Sequence, residues 1–464
     1  MAVKCGRRRF LGGAISSVIP LHFSAASQNK NAELSLCIVG VGGGGFVNWP
    51  QMVRLPDVRV GAFCDVDRRM LDVAFRWLDV NRSPSVFPWT SDFRTFNVAK
   101  TKDFDAAVVS IPDHNHIAAA LPFLRRGIPV FLEMPLSRTL GELKCLWEVA
   151  GDKGRMLFGN ISGRYAFSFR VACKVLQSGL LGASPEVYAW TDYPGLSADD
   201  PRGWLQPVPR PQGEDSVGRN IFLFDWDSWI GTASPRPFKR FAYHRKNWRA
   251  FHDFGTGALG FIGGQMLALP FFGLGIGVPR SVEVIGIPPP VPGSYPAYCK
   301  LCLKCDHPSG IVPVHWYEGG RRPPEDVLNT LKESRCDIPA SGLLVRGSDG
   351  VLFSRGHYGT GSFFRRKGES VFIPVNKHPV CQAANAGTPR IDTTPQFEFI
   401  QNIRDGKSNV ELEMLLTLTE SILLGVLSQR VGHSLEWDHK NWRATDRDAN
   451  SLIWPTVRKG WEYV

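Results

Sequence analysis

Leu34-Ser35-Leu36-Cys37-Ile38-Val39-Gly40-Val41-Gly42-Gly43-Gly44-Gly45 is the stretch that decides the fold of this chain. Its first half is a short apolar run, the pattern of a strand buried on both faces of a parallel sheet. Its second half contains G-x-G-x-x-G at Gly40, Gly42 and Gly45. In a strand–turn–helix unit the first glycine permits a tight turn. The second lets the backbone approach a pyrophosphate, and the third lets the helix pack closely on the strand. Gly43 belongs to the same turn, and the helix that follows offers unpaired N–H groups to phosphates. A dinucleotide site is the expectation.

The surroundings extend the pattern. A second strand, residues 58–64, ends at Asp65, twenty residues after Gly45. An acid at that strand end grips the adenine ribose hydroxyls. Its charge favours NAD by repelling the extra phosphate of NADP. Arg68 and Arg69 lie close by, and arginine is the natural partner of that phosphate, so NADP stays open. Residues 105–111 form the next clear strand and end in Pro112-Asp113-His114-Asn115-His116. A helix over 117–126 and a strand over 129–132 follow, the latter ending in Glu133-Met134-Pro135. Ser137 or Thr139 can cap one more helix, through Ala150. Strands alternating with crossover helices make a parallel sheet, which binds ligands at its carboxyl ends. Ile111, Pro112, His114, His116, Glu133, Met134 and Pro135 are therefore placed on the cofactor side.

Bulk composition narrows the partners. Hydrophobic residues make up 43% and charged residues 21% of the chain, as in an ordinary globular protein. An apolar run of the ~18 residues that would span a bilayer is not evident. The net charge is +11, but Lys4, Arg7, Arg8 and Arg9 supply four of those charges. The other basic residues are scattered among acids, which argues against a nucleic-acid partner. The N-terminus reads Arg7-Arg8-Arg9-Phe10-Leu11, then a weakly apolar stretch, then Ser24-Ala25-Ala26. That order resembles a twin-arginine signal over residues 1–26, cleaved after Ala26, on a periplasmic or otherwise exported protein. Among ten cysteines, Cys299, Cys302 and Cys305 have the spacing of a metal half-site. Yet residues 298–305 alternate with period two, which puts Cys302 on the face opposite Cys299 and Cys305. An amphipathic strand, with no metal, is expected there.

Taken together, these motifs resemble the Gfo/Idh/MocA family of NAD(P)-dependent oxidoreductases. The likeness rests on Gly40 to Gly45, Cys64-Asp65-Val66-Asp67, Ile111 to His116 and Glu133-Met134-Pro135-Leu136. It continues through Asp225-Trp226-Asp227-Ser228-Trp229, Asn247-Trp248-Arg249, Asp253-Phe254-Gly255-Thr256-Gly257 and Trp316-Tyr317-Glu318, in the manner of the exported bacterial branch. The resemblance implies an α/β protein with a Rossmann doubly wound domain at 33–155. A second α/β domain at 156–464, with a large open, mostly antiparallel sheet, would cover the nicotinamide and mediate a homo-oligomer. Strand-like runs at 282–286, 297–305 and 342–347 agree, and an amphipathic helix is expected over 411–431. The implied substrate is a sugar, polyol or related carbohydrate.

The chemistry departs from the family pattern. Members usually carry Glu-Lys-Pro where this chain has Met134. On the helix after the Gly-Ala-Leu-Gly stretch they carry Asp and His where this chain has Phe261 and Gln265; a further acid position reads Ala268. Hydride transfer from an alcohol needs a base for the hydroxyl proton. Methionine has no proton chemistry, and glutamine only donates and accepts hydrogen bonds. His244 or Lys246 could take over as base, with Gln265 orienting the sugar. Tyr243, Trp248 and Arg249 share that loop and are placed toward substrate, although Trp248 also reads as a packing residue. Two alternatives remain open: a dinucleotide-binding pseudoenzyme or partner subunit, and an NAD-dependent glycosidase or lyase.

Overall fold

Leu34, Leu36 and Ile38 pack on one side of strand β1 (Leu34–Val39), Cys37 and Val39 on the other, and both sets are buried. A strand with two apolar faces must lie inside a sheet covered on both sides. In the computed structural model it does. The structure describes residues 33–81, 87–98, 104–152, 155–194, 223–239, 242–244, 246–289, 291–407 and 411–463; the export segment lies outside them. The other strands of this sheet are β2 (Val58–Cys64), β3 (Trp89–Thr90), β4 (Ala106–Val109), β5 (Val130–Leu132) and β6 (Leu157–Gly159). All run parallel, in the order β3-β2-β1-β4-β5-β6. The order reverses direction between β1 and β4, which opens a crevice at the carboxyl ends of those strands.

Strand β6 lies beyond Arg155, where the alternation was expected to stop. Three residues are too short a run to stand out in a sequence, but pairing with β5 recruits them. The helix Leu140–Ala150 is started by Thr139 rather than Ser137. The Thr139 side chain accepts from the Glu142 backbone N–H, and Glu142 accepts in return from the Thr139 N–H at 2.9 Å.

The second sheet is built from β7 (Glu186–Trp190), β8 (Pro279–Gly286), β9 (Cys299–His307), β10 (Gly310–Glu318), β11 (Gly342–Arg346), β12 (Gly350–Arg355), β13 (Gly361–Arg366), β14 (Ile373–Pro374), β15 (Leu435–Asp438) and β16 (Arg443–Ala444). Its order is β14-β13-β12-β11-β7-β10-β9-β8-β15-β16. Only the β7–β10 pair is parallel. On β9, Cys299, Leu301, Leu303 and Cys305 join the main core, while Cys302 is buried on the other face. Period two splits the thiols, and among the described residues no group of three His, Cys, Asp or Glu is arranged to hold a metal.

One expectation is corrected. The helix Leu412–Val431 is not amphipathic: every residue from Leu415 to Gln429 is buried. It packs against helices Leu140–Ala150 and Gly257–Met266 and against β8 and β9, so it has no solvent face to leave polar. By length and apolarity it could cross a bilayer, yet most of it sits inside the protein. Its hydroxyls turn inward: Thr419, Ser421 and Ser428 each donate to the carbonyl four residues earlier. Glu420 accepts from Trp437 Nε1 and His439 Nδ1, both at 2.8 Å.

The chain returns to the first domain at its end. The Trp461 ring meets Phe93 edge-on at 5.5 Å and lies 3.7 Å from the Arg94 guanidinium. Tyr463 donates to Glu142 at 2.8 Å. Trp461→Ala is expected to lower stability by about 3 kcal/mol, because a large buried ring leaves a cavity. Urea unfolding followed by far-UV circular dichroism reads this as a lower midpoint with an unchanged slope.

Candidate active site

The glycine turn after β1 divides its labour by position. Gly40 has φ +88°, and a Cβ there would lie 2.2 Å from the Ser110 carbonyl oxygen. A Cβ on Gly45 would lie 1.9 Å from the Gly40 carbonyl oxygen. Both glycines are demanded by the backbone itself. Gly42 behaves otherwise than expected: a Cβ there would meet the Met70 side chain at 2.8 Å, not open space. Gly43, with φ +54°, has nothing within 4 Å of its Cβ position, and Gly44 has only Glu133 Oε1 at 3.6 Å. Gly43 and Gly44 are thus the bare part of the turn, just before the helix Gly45–Val53.

That bare surface lines a cavity of about 680 Å³ that runs to the second domain. Gly40, Gly42, Gly43, Gly44, Asp65, Ile111, Pro112, His116, Glu133 and Met134 lie on its first-domain wall. Tyr193, His244, Lys246, Trp248, Arg249, Phe261, Gln265 and Tyr358 come from the other side.

At the β2 end, Asp65 Oδ2 accepts from the backbone N–H groups of Val41 (2.8 Å) and Gly42 (3.1 Å), and Oδ1 accepts from that of Asp67. Burial raises this carboxyl, and the three N–H groups oppose the rise. Arg68 does not reach the cavity; it lies 4.2 Å over the Trp89 ring and bonds Asp72. Arg69 is held by both oxygens of Asp67 at 2.7 Å. Both arginines are thus engaged by carboxylates or an aromatic ring, and neither is left aimed into the cavity. Asp65→Asn should lower the preference for NAD over NADP by about tenfold, as the repulsion is removed. Comparing the two dissociation constants checks this.

His244 stands at this same end. Its Nε2 is 3.7 Å from Asp67 Oδ2, and its ring lies 4.8 Å from that of Phe224. Burial pushes Asp67 up, but the nearby His244 ring and the two hydrogen bonds from Arg69 outweigh it and hold the carboxylate below its ordinary range. Tyr243 is turned away from the cavity into a cluster with Trp226, Phe251 and Phe254.

The other end holds a polar relay that sequence spacing did not reveal. Glu133 accepts from Asn48 Nδ2, from the Ser110 hydroxyl at 3.4 Å and from Asn160 Nδ2 at 2.9 Å. Asn48 in turn accepts from Gln396 Nε2 at 2.7 Å. Burial raises Glu133, against the pull of Asn48 and Asn160. Gln265 donates to the Asn160 carbonyl at 2.8 Å and accepts from the Ser162 N–H at 2.9 Å. Its carboxamide thus ties the end of β6 to the helix Gly257–Met266 and keeps one N–H for other partners. Met134 is 7% exposed and packs on Gly264 of that helix, where a Cβ would meet it at 2.9 Å.

Asp113 is the group the sequence left unmarked. It lines the cavity, is 6% exposed and accepts from the Thr256 hydroxyl at 2.5 Å. Burial pushes its carboxyl up to about 7, against the Thr256 hydrogen bond and the charges of Arg249 and Arg138. The Arg249 guanidinium lies 4.3 Å from the Trp248 ring and 4.5 Å from that of Phe261. His114, expected on the cofactor side, is fully buried and does not line the cavity. Its ring nitrogens meet the carbonyls of Trp229 (3.1 Å) and Phe254 (3.3 Å), and burial lowers it to about 3. His116 sits at the cavity wall with its nitrogens at the Pro135 and Ile111 carbonyls, 2.9 and 2.8 Å away. Both histidines brace loops.

A dinucleotide fits these residues: a glycine turn open at Gly43 and Gly44, a helix N-terminus behind it, and Asp65 at the β2 end. Comparison with known proteins agrees. Residues 34–161 match the oxidoreductase family with an NAD-binding Rossmann fold, Gfo/Idh/MocA. An alpha-N-acetylgalactosaminidase of Shewanella oneidensis is 25% identical over 37% of this chain and 39% of its own length. This chain spans about half the length or less of the curated relatives it matches. Among solved structures, aldose-aldose oxidoreductase from Caulobacter crescentus, complexed with glycerol, superposes with a TM-score of 0.55 at 15% identity, over 87% of this chain and all of that one. The WlbA dehydrogenase from Chromobacterium violaceum, in complex with NADH and UDP-GlcNAcA, gives 0.57 at 12% identity, over 89% and 97%. These two likenesses show the fold. Residues 34–161 of this chain thus form a Rossmann domain that is similar to the NAD-binding domain of the Gfo/Idh/MocA oxidoreductase family.

Proposed function

We propose that this protein is an exported oxidoreductase that uses NAD on a sugar, polyol or related carbohydrate, with Asp113 as the proton acceptor. One observation carries the reading: a single cavity joins the glycine turn to a polar wall, with a buried, proton-holding carboxyl on the path. When bound, the nicotinamide supplies the hydride acceptor. Asp113 lies at the carboxyl end of β4, on the nicotinamide side of the crevice, and takes the proton of the hydroxyl being oxidised. Arg249 opposes the negative charge that develops there, and Gln265 and Asn160 position the substrate hydroxyls. His244 belongs to the adenosine half of the cofactor by its nearness to Asp67, so in this reading it and Lys246 grip the dinucleotide. Met134 leaves the family's lysine role unfilled and would offer a bound nicotinamide an apolar contact in place of a charge.

A second reading is favoured by the similarity to an alpha-N-acetylgalactosaminidase: cleavage of a glycoside with no net oxidation. One experiment separates the two. The mature protein is loaded with NAD and offered a panel of free sugars and polyols, with absorbance read at the NADH band. In parallel it is offered aryl N-acetylgalactosaminides, with aryl release read. Absorbance gain with free sugars supports the oxidoreductase. Aryl release without it supports the glycosidase. Retained NAD with neither signal overturns both and leaves a binding protein. Fractionation of cells expressing the full chain tests the export, which a cytoplasmic, uncleaved product would refute.

A further inference from the structure

The second domain reaches across to the first at one end of the cavity. Phe224 forms an antiparallel bridge with Asp67, and the Asp225 N–H donates to the Val66 carbonyl at 2.8 Å. Val66 and Asp67 follow Asp65 in the chain, just beyond β2. Asp225 then caps the helix Trp226–Ile230, its Oδ1 accepting from the Ser228 N–H at 3.0 Å. Its other oxygen, Oδ2, accepts from two hydroxyls, Ser228 at 2.8 Å and Ser91 at 2.6 Å. Ser91 belongs to the first domain, directly after β3. One carboxylate thus joins the two domains.

This joint is part of the cavity wall. Val66 and Ser91 on the first-domain side, and Ser228 and Trp229 on the other, all line the cavity. Asp225 is suited to hold the joint. Burial raises its carboxyl, but the hydrogen bonds from Ser91 and Ser228 outweigh that and keep it below its ordinary range. It is therefore ionised at neutral pH, and hydrogen bonds to an ionised acceptor are the stronger kind. The far end of the helix is fixed to the turn after β4. Asn115 Nδ2 donates to the Trp229 carbonyl at 3.3 Å, and Asn115 Oδ1 accepts from the Thr232 N–H at 3.0 Å. Arg458 braces the outside, donating to Asp227 Oδ1 at 2.6 Å.

We infer that Asp225 is a positioning residue: through Ser91 it clasps the second domain over the Asp65 end of the cavity and slows the release of a bound dinucleotide. With NAD lying between the glycine turn and Asp65, the reading on which this rests, one half of the dinucleotide is beneath the joint. It leaves only after the Ser91–Asp225 bond opens. Because the far end of the helix is held by Asn115, the swing that uncovers the cavity begins at Asp225. The clasp therefore acts on release more than on association.

The test loads the full chain with NADH and chases it with excess NAD, following the loss of bound NADH fluorescence by stopped flow. Asp225→Ala should speed release about thirtyfold and Ser91→Ala about tenfold, with association changed by less than about threefold. The double variant should release NADH no faster than Asp225→Ala alone, because both changes remove the same bond. Release within about twofold of wild type in both single variants overturns the clasp and leaves the cofactor reading standing. So does a double variant in which the two effects multiply, since Asp225 and Ser91 would then act separately. A wild-type chain that binds no NADH overturns the cofactor reading, and the clasp with it. If Asp225→Ala fails to fold, Asp225→Asn takes its place in the same cycle: asparagine still caps a helix but lacks the charge, and release should quicken about fivefold.

Discussion

Gly45→Ala should weaken NAD binding by about a hundredfold or more and cost about 3 kcal/mol of stability. The new Cβ would lie 1.9 Å from the Gly40 carbonyl oxygen, and that atom is backbone, which has no rotamer to swing away. Gly40 is itself pinned, since its own Cβ position is 2.2 Å from the Ser110 carbonyl oxygen. Relief therefore requires the helix Gly45–Val53 to lift from β1 and β4, and the N–H groups at its start move with it. Gly42→Ala is the instructive control. Its Cβ meets Met70 at 2.8 Å, a flexible side chain that can turn, so the loss should be tenfold or less. Titration calorimetry with NAD and urea unfolding of both variants measure the contrast. Equal NAD affinity in Gly45→Ala and wild type would place the cofactor elsewhere.

Asp113→Asn should lower turnover about a hundredfold while leaving the NAD dissociation constant within a factor of two. Asparagine keeps an acceptor for the Thr256 hydroxyl but takes no proton. The pH dependence has a defined sign. A base works in its deprotonated form, so kcat/KM of the wild type should rise with pH through about 7, where Asp113 loses its proton. Stability moves the other way. The unfolded carboxyl ionises near pH 3.9, whereas the folded one keeps its proton to about 7, so the folded state binds more protons in that interval. Stability should therefore fall as pH rises from about 4 to about 7, and Asp113→Asn should flatten that slope. An unaltered pH–rate profile in Asp113→Asn would remove it from the mechanism.

The fold was readable because its signals are local. Two-sided burial of β1, the glycine turn, Asp65 at the end of β2 and the Thr139 capping box are each set by residues within a few positions or one crossover of each other. Where contacts come from all sides, periodicity misled: the helix Leu412–Val431 lost its expected polar face because other helices and strands of both sheets surround it.

The site was readable in part. Residue type marked Met134 and Gln265 as departures, and both lie in the cavity wall. Residue type could not say which histidine faces what. His114 and His116 share a turn with Asp113, but the chain path after β4 gives the first to the Trp229 and Phe254 carbonyls and the second to the Pro135 and Ile111 carbonyls. Asp113 is left to line the cavity. His244 lies close in sequence to Trp248 and Arg249, yet its loop carries it to Asp67, just beyond the end of β2.

By itself, then, the sequence determined the parallel sheet and the glycine turn after its first strand, because each is a pattern of neighbours. Only the tertiary structure decided that Asp113 holds its proton to about 7 and that Gln396 supports Glu133 through Asn48. Burial and charge proximity create those properties. Both depend on which distant segments pack together: Asn48 and Gln396 are 348 residues apart in the chain and 2.7 Å apart in the fold.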